Sequence, residues 1–397
     1  MQAMNHKTID HLGVPESDLL ASGAIWTARE IEQQPRMLQQ THALLSALGE
    51  KIEAFVAPIA GNPAARIILT GAGTSSYIGQ CLAPLLDRQL AARVDAVPTT
   101  DLVSAPYLYL DPEQPLLLVS FGRSGNSPES LAAVELAELL VREVRHLVVT
   151  CNAEGALNTV PARESMTLLL PEETHDTSFA MTSSFSCMLY ATLLAFSGAQ
   201  ALDDRIGPIA LATERVINES RLSLQELALH GYDRVAYLGS GLFQGLAREA
   251  ALKLGELTNG AVATCFDSPL GFRHGPKTFV TDKTLVMVFV SNDPLTRRYD
   301  LDLLDELRQD ACAGRIIEVT AQRGAAHGAD ALLMPDTLLV PDMSSATDID
   351  LLWPYVAVAQ IYAFNASRAM GLSPDSPNKQ GTVNRVVQGV RIHSSAP

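Results

Sequence analysis

Three landmarks recur once, in the same order, along this chain of 397 residues. The first half holds RIILTGAG (66–73), PLLLVSFGRS (115–124) and HLVVTCNAEG (146–155); the second holds RVAYLGSG (234–241), TLVMVFVSND (284–293) and RIIEVTAQRG (315–324). Gly71 and Gly239 stand 168 residues apart, Ser120 and Ser291 171, and Thr150 and Thr320 170. A nearly constant offset over three landmarks implies a duplicated domain, and the period is far too long for a solenoid.

Each landmark opens on a short run rich in Val, Ile and Leu that is apolar on both faces, as a buried parallel strand is. Helix-patterned segments, 128–140 and 242–257 among them, alternate with these runs. The alternation predicts an α/β fold with two tandem domains, each a mainly parallel sheet flanked by helices. The boundaries expected are an N-terminal helical segment over 1–55, a first domain over 56–202, a connecting helix over 203–228, a second domain over 229–370 and a tail over 371–397 that closes on the active site. The tail begins in a Ser-, Pro- and Asn-rich loop. It ends in VNRVVQGVRI (383–392), a short strand or an extended arm.

Charge narrows the partners. Lys and Arg number 29 against 44 Asp and Glu, a net charge of −15 with no basic stripe, which argues against nucleic acid. The five cysteines are scattered and show no CxxC spacing, so neither a disulfide framework nor a zinc site is suggested. The first residues lack the apolar core of a signal peptide, and no stretch of about 18 uncharged apolar residues occurs, so no membrane span and a cytoplasmic location are expected.

Five segments have the residue types that chemistry needs. GAGTSSY (71–77) follows a strand; Gly71 and Gly73 let backbone approach an anion, and Thr74 and Ser75 bring hydroxyls to a helix N-terminus. The plain alternative is a capped glycine turn. The third glycine of the dinucleotide fingerprint is missing, with Ser76 in its place. SFGRSGNSPES (120–130) gives a second such turn with Arg123, Ser124 and Ser127, although Ser127 also suits the cap of the next helix. In ETHDTSFAMTSSFS (173–186), Thr182 or Ser183 either caps an apolar helix or turns its N-terminus to a ligand. In AREAALKLGEL (247–257), Glu249, Lys253 and Glu256 share one helix face; they form a solvated ion-pair row or place a general base over the strand ends. In SPLGFRHGPKTFV (268–280), His274 sits in a loop held by Gly275 and Pro276, structural or placed for proton transfer.

GAGTSSY, SFGRSGNSPES, ALKLGEL and GFRHGPK together resemble the sugar-isomerase (SIS) domain family, as a tandem pair spanning nearly the whole chain. PEETHDTSFAMTSS, DSPLGFRHGPK and GTVNRVVQGV are similar to its AgaS-type branch of N-acetylgalactosamine catabolism, described as galactosamine-6-phosphate deaminase/isomerase. A more distant likeness is to the isomerase half of glucosamine-6-phosphate synthase. The resemblance implies a phosphorylated amino sugar as substrate, with no metal or redox cofactor. It assigns phosphate binding to Thr74, Ser75, Ser124 and Ser127, with Arg123 where the synthase has glutamine; Gly73 and Thr182 are further candidates for substrate or phosphate binding. Glu256 matches the carboxylate that moves a proton between C1 and C2, and Lys253 the lysine beside it. His274 matches a ring-opening histidine supplied by the neighbouring subunit, which implies a homodimer. Lys379 is a candidate for a C-terminal lysine at the sugar carbonyl, and Phe179 and Met181 replace smaller residues near the sugar. Three activities fit: an amino-sugar-phosphate deaminase, a plain aldose–ketose isomerase, and a non-catalytic sugar-phosphate sensor.

Overall fold

The computed structural model describes residues 9–323, 336–387 and 389–393. Gly324, at the end of the last landmark, and Gln388, in the C-terminal arm, lie outside them. A small hairpin, β1 (Asp10–His11) and β2 (Val14–Pro15), leads into four helices: α1 (Glu16–Ser22), α2 (Ile25–Glu32), α3 (Gln34–Ser46) and α4 (Gly49–Ala60). The expected helical N-terminus thus runs on to Ala60.

The first sheet is built from β3 (Arg66–Thr70), β4 (Arg93–Ala96), β5 (Leu116–Gly122), β6 (Val144–Thr150) and β7 (Ser165–Leu169), all parallel, in the order β4-β3-β5-β6-β7. Between its strands lie α5 (Thr74–Gln89), α6 (Thr99–Ser104) and α7 (Pro128–Leu140), and after β7 comes α8 (Ser183–Ser197). The helix α9 (Asp203–Leu229) links to a second parallel sheet of β8 (Arg234–Gly239), β9 (Ala263–Asp267), β10 (Thr284–Phe289), β11 (Arg315–Thr320) and β12 (Thr337–Leu339), ordered β9-β8-β10-β11-β12. Its helices are α10 (Leu242–Leu257), the single turn α11 (Pro269–Phe272), α12 (Pro294–Asp310) and α13 (Asp348–Ala369). Counted within each copy, both orders read 2-1-3-4-5. The repeat seen in the sequence is therefore a repeat of topology.

That order fixes where ligands go. The chain reverses direction across the sheet between strands 1 and 3, and the loops that follow them diverge into a crevice at the strand C-terminal ends. In the first copy the crevice lies between the β3–α5 and β5–α7 turns, the GAGTSSY and SFGRSGNS segments. Local chemistry sharpens both turns. Gly73 has φ +57, the left-handed region that a side chain would strain, at the entry to α5. Ser127 caps α7 by accepting the Ser130 N–H at 3.2 Å, with Pro128 at the first helical position.

The two copies share one core. α8 and α13 are buried along nearly their whole lengths, so they lack the amphipathic stripe of a surface helix. Trp353 of α13 packs edge-on against Tyr190 of α8, and its indole N–H donates to the Ser186 carbonyl at 2.9 Å. The first helices of the two copies, α5 and α10, pack antiparallel. They approach so closely that a Cβ on Gly245 would stand 2.7 Å from the Cys81 nitrogen.

Candidate active site

The antiparallel contact of α5 and α10 carries side chains of the second copy to the anion turn of the first. Near the C-terminus of α10, Lys253 Nζ lies 3.1 Å from Thr74 Oγ1 on the first turn of α5. The same ammonium reaches Glu256 Oε2 at 2.9 Å and Glu249 Oε1 at 3.3 Å. Glu249 and Lys253 are fully buried, whereas the Glu256 side chain keeps about a quarter of its surface exposed. The bland reading of this helix face as a solvated ion-pair row therefore fails.

Burial pushes Glu249 up to about 7, against the pull of the Lys253 ammonium. Its contact with Lys253 is an ion pair without an aligned hydrogen bond. For Lys253 burial alone would favour the neutral amine, but Glu249 and Glu256 outweigh it and raise its pKa. Lys253 thus favours its ammonium form and holds the more accessible carboxylate, Glu256, at 2.9 Å.

Beside this cluster lies a cavity of about 110 Å³ lined by Ser75, Ser124, Ser127, Met181, Arg385 and Val387, with Arg123 in its wall. Ser75, Ser124 and Ser127 are thus brought together as the sequence predicts. Thr74 is not: its hydroxyl faces Lys253, because the first turn of a helix points successive side chains about 100° apart. Gly73 shapes the turn and does not line the cavity.

Arg123 differs from a free phosphate ligand. Its buried guanidinium donates to the carbonyls of Ser178, Phe179 and Arg385, at 3.0, 3.1 and 3.1 Å, and so ties the 171–182 loop to the C-terminal arm. Burial and the neighbouring Arg385 charge lower its pKa. Thr182 is buried but neither caps α8 with its side chain nor lines the cavity. The N-terminus of α8 is taken by Asp176, which accepts from the Thr182 N–H at 2.8 Å, the Ser184 N–H at 2.9 Å and the Ser183 hydroxyl at 2.5 Å. An internal carboxylate, rather than a ligand, satisfies that helix end.

His274 is exposed on the loop after α11, and its side chain makes no hydrogen bond among the described residues. Lys379 is also exposed; its neighbour Asn378 bonds Asn259, just past the end of α10, at 3.0 Å. Neither reaches the Glu256 cluster within the chain. The segment 383–392 forms no strand among the described residues, and its Arg385 and Val387 stand in the cavity wall.

In the second copy the matching donors are bonded from within. Asp300 accepts from the Ser240 hydroxyl of the GSG turn at 2.5 Å and from the Ser291 N–H past β10 at 2.9 Å. Asp348 accepts from the Ser291 hydroxyl at 2.6 Å and the Asn292 N–H at 2.8 Å. Donors that face a cavity in the first copy here meet carboxylates, and burial pushes Asp300 up to about 6.

Residues 62–198, the first copy, match the SIS domain. Over its length the chain is similar to D-galactosamine-6-phosphate deaminase AgaS of Escherichia coli, 45% identical over 96% of this chain and 99% of that one. It is similarly close to D-galactosamine-6-phosphate deaminase AgaS of Shewanella sp. (strain ANA-3), 44% identical over 94% of this chain and 92% of the relative. The crystal structure of tagatose-6-phosphate ketose/aldose isomerase from Escherichia coli superimposes with a TM-score of 0.85, at 40% identity, covering 99% of this chain and all of that one.

Proposed function

Since the chain belongs to the SIS-domain family of AgaS-type D-galactosamine-6-phosphate deaminases, we propose that it converts D-galactosamine 6-phosphate and water to tagatose 6-phosphate and ammonia. The observation that carries this reading is the division of labour between consecutive residues of α5. Ser75 lines the anion cavity while Thr74 holds Lys253, which holds Glu256. A phosphate in the cavity thereby sets the far end of a hexose against a fixed carboxylate.

The reaction follows from these positions. Ser75, Ser124 and Ser127, with N–H groups at the starts of α5 and α7, receive the phosphate. His274, carried on the loop of the partner subunit in a homodimer, moves the ring proton and opens the pyranose. Glu256 removes the C2 proton, acidified by the C1 aldehyde, and returns a proton to C1 through an enolamine. Lys253 holds Glu256 in place through their 2.9 Å contact. The 2-ketimine so formed is hydrolysed by water, releasing ammonia. A carboxylate alone suffices for the 1,2-shift because both carbons lie on one face, and no redox centre enters the balance. Lys379, from the tail, is assigned to the carbonyl end of the sugar. Neither nucleic acid nor membrane is a partner in this reading, and the enzyme works in the cytoplasm.

The solved relative named for a ketose/aldose isomerase favours a second reading, interconversion of tagatose 6-phosphate without ammonia release. Ammonia production from D-galactosamine 6-phosphate by the purified protein separates the two: its absence, together with interconversion of tagatose 6-phosphate, overturns the deaminase.

A further inference from the structure

We propose that Arg385, on the C-terminal arm, is a phosphate-contacting residue that makes the cavity selective for a dianion. The inference deepens the reading above and rests on it. Three observations on the page carry it. Arg385 lines the same small cavity as Ser75, Ser124 and Ser127. Its Nε and one Nη donate to the Asp176 carbonyl, so the arm is anchored with the guanidinium edge held at the cavity wall. Its own carbonyl accepts from Arg123, which brings a second, buried guanidinium to the same wall.

Two like charges are costly to hold side by side unless an anion joins them. The groups that face them from the packed elements are Glu30 of α2, His175 and Asp176 of the 171–182 loop and Glu256 of α10. Asp176 already accepts four donors at the head of α8, and Glu30 accepts the Thr177 and Ser178 N–H groups. Three of the five N–H donors of Arg123 go to carbonyls, which fixes its guanidinium in the wall. Arg385 lines the cavity with its second Nη not engaged among the described contacts, so a whole guanidinium nitrogen is available to the ligand. A guanidinium matches the edge of a phosphate bidentately, and the hydroxyls and N–H groups of the two turns are neutral. Removing Arg385 therefore removes charge discrimination and leaves shape.

The test uses two probes of one shape that are not turned over: a hexitol 6-phosphate, dianionic above neutral pH, and the corresponding 6-sulfate, a monoanion. Binding of each to the full-length protein is measured by titration calorimetry at alkaline pH. The native protein is expected to prefer the phosphate. In Arg385→Met phosphate affinity falls about 10- to 100-fold, as loss of a charge-assisted hydrogen bond predicts. Sulfate affinity falls much less, so the preference collapses; Arg385→Lys keeps the charge and most of the preference. An equal loss on both probes in Arg385→Met means that Arg385 only holds the arm, and an unchanged preference means it does not touch the ligand; either overturns the proposal. Native protein that binds neither probe overturns the phosphate reading of the whole cavity instead.

Discussion

Lys253 Nζ of the second copy stands 3.1 Å from Thr74 Oγ1 of the first. This contact joins the two halves of the duplication at one point of function. In the proposed mechanism the first copy supplies the anion turns and the second supplies the proton-moving carboxylate. Duplication would otherwise leave two equivalent sites; here the matching donors of the second copy are bonded to Asp300 and Asp348.

Glu256→Gln keeps the shape of the base and removes its basicity. Turnover is expected to fall at least about 10²-fold, the lower end for a general acid–base group. Affinity for a hexitol 6-phosphate, measured by calorimetry, is expected to stay within about threefold, well under the 1.4 kcal/mol of a tenfold change. Near-native turnover removes Glu256 from the mechanism.

Gly245 sets the α5–α10 distance, so Gly245→Val forces backbone apart where Cys81 and Gln80 lie under 3 Å from the new Cβ. A loss of stability of about 1–3 kcal/mol or more follows, with a parallel loss of turnover. Gly207→Ala is the control: nothing lies within 4 Å of its Cβ, in the interior of α9. It gains up to about 1 kcal/mol from helix propensity. Chemical denaturation of the two variants checks the contrast.

Glu249 gives a pH signature in stability. Its folded pKa, about 7, lies above its ordinary value of 4.5. The protonated form is thus favoured by folding. That contribution is whole below about 4.5 and is lost as pH rises through about 7. Relative to Glu249→Gln, the native protein is therefore expected to lose on the order of 2 kcal/mol between those limits. Urea melts of both proteins across this range decide it, and parallel curves contradict the assignment.

Mixed dimers test where His274 acts. Glu256→Gln and His274→Ala each abolish activity alone if both residues are required. In a twofold dimer whose sites combine Glu256 of one subunit with His274 of the other, the mixed species keeps one intact site. Random reassembly of the two variants then restores about a quarter of native activity. No recovery places His274 with Glu256 of its own chain, or outside the reaction.

How far the sequence could be read depended on the range of the physics. The strands, α7 and α10 were legible because strand burial, Ser127–Pro128 capping and a glycine entry turn are local. The anion turns were legible for the same reason, and Ser75, Ser124 and Ser127 do meet at one cavity. The orientation of Thr74 toward Lys253 was not legible because it depends on α10, which lies 179 residues away from it at Lys253. Arg123 was read as a ligand since nothing local shows that three carbonyls from two remote segments surround it. Glu249 was visible as part of a helix face, but its burial follows from α5 packing on α10. Arg385 carried no signal beyond lying in the arm, and the carboxylates in the second crevice carried none until the 2-1-3-4-5 order was known in both sheets.

The most direct measurement is ammonia released by purified protein from D-galactosamine 6-phosphate, with D-glucosamine 6-phosphate and tagatose 6-phosphate alongside. The account predicts ammonia and tagatose 6-phosphate in equal amounts from the galacto substrate, and their loss in Glu256→Gln. No ammonia from either amino sugar would contradict it.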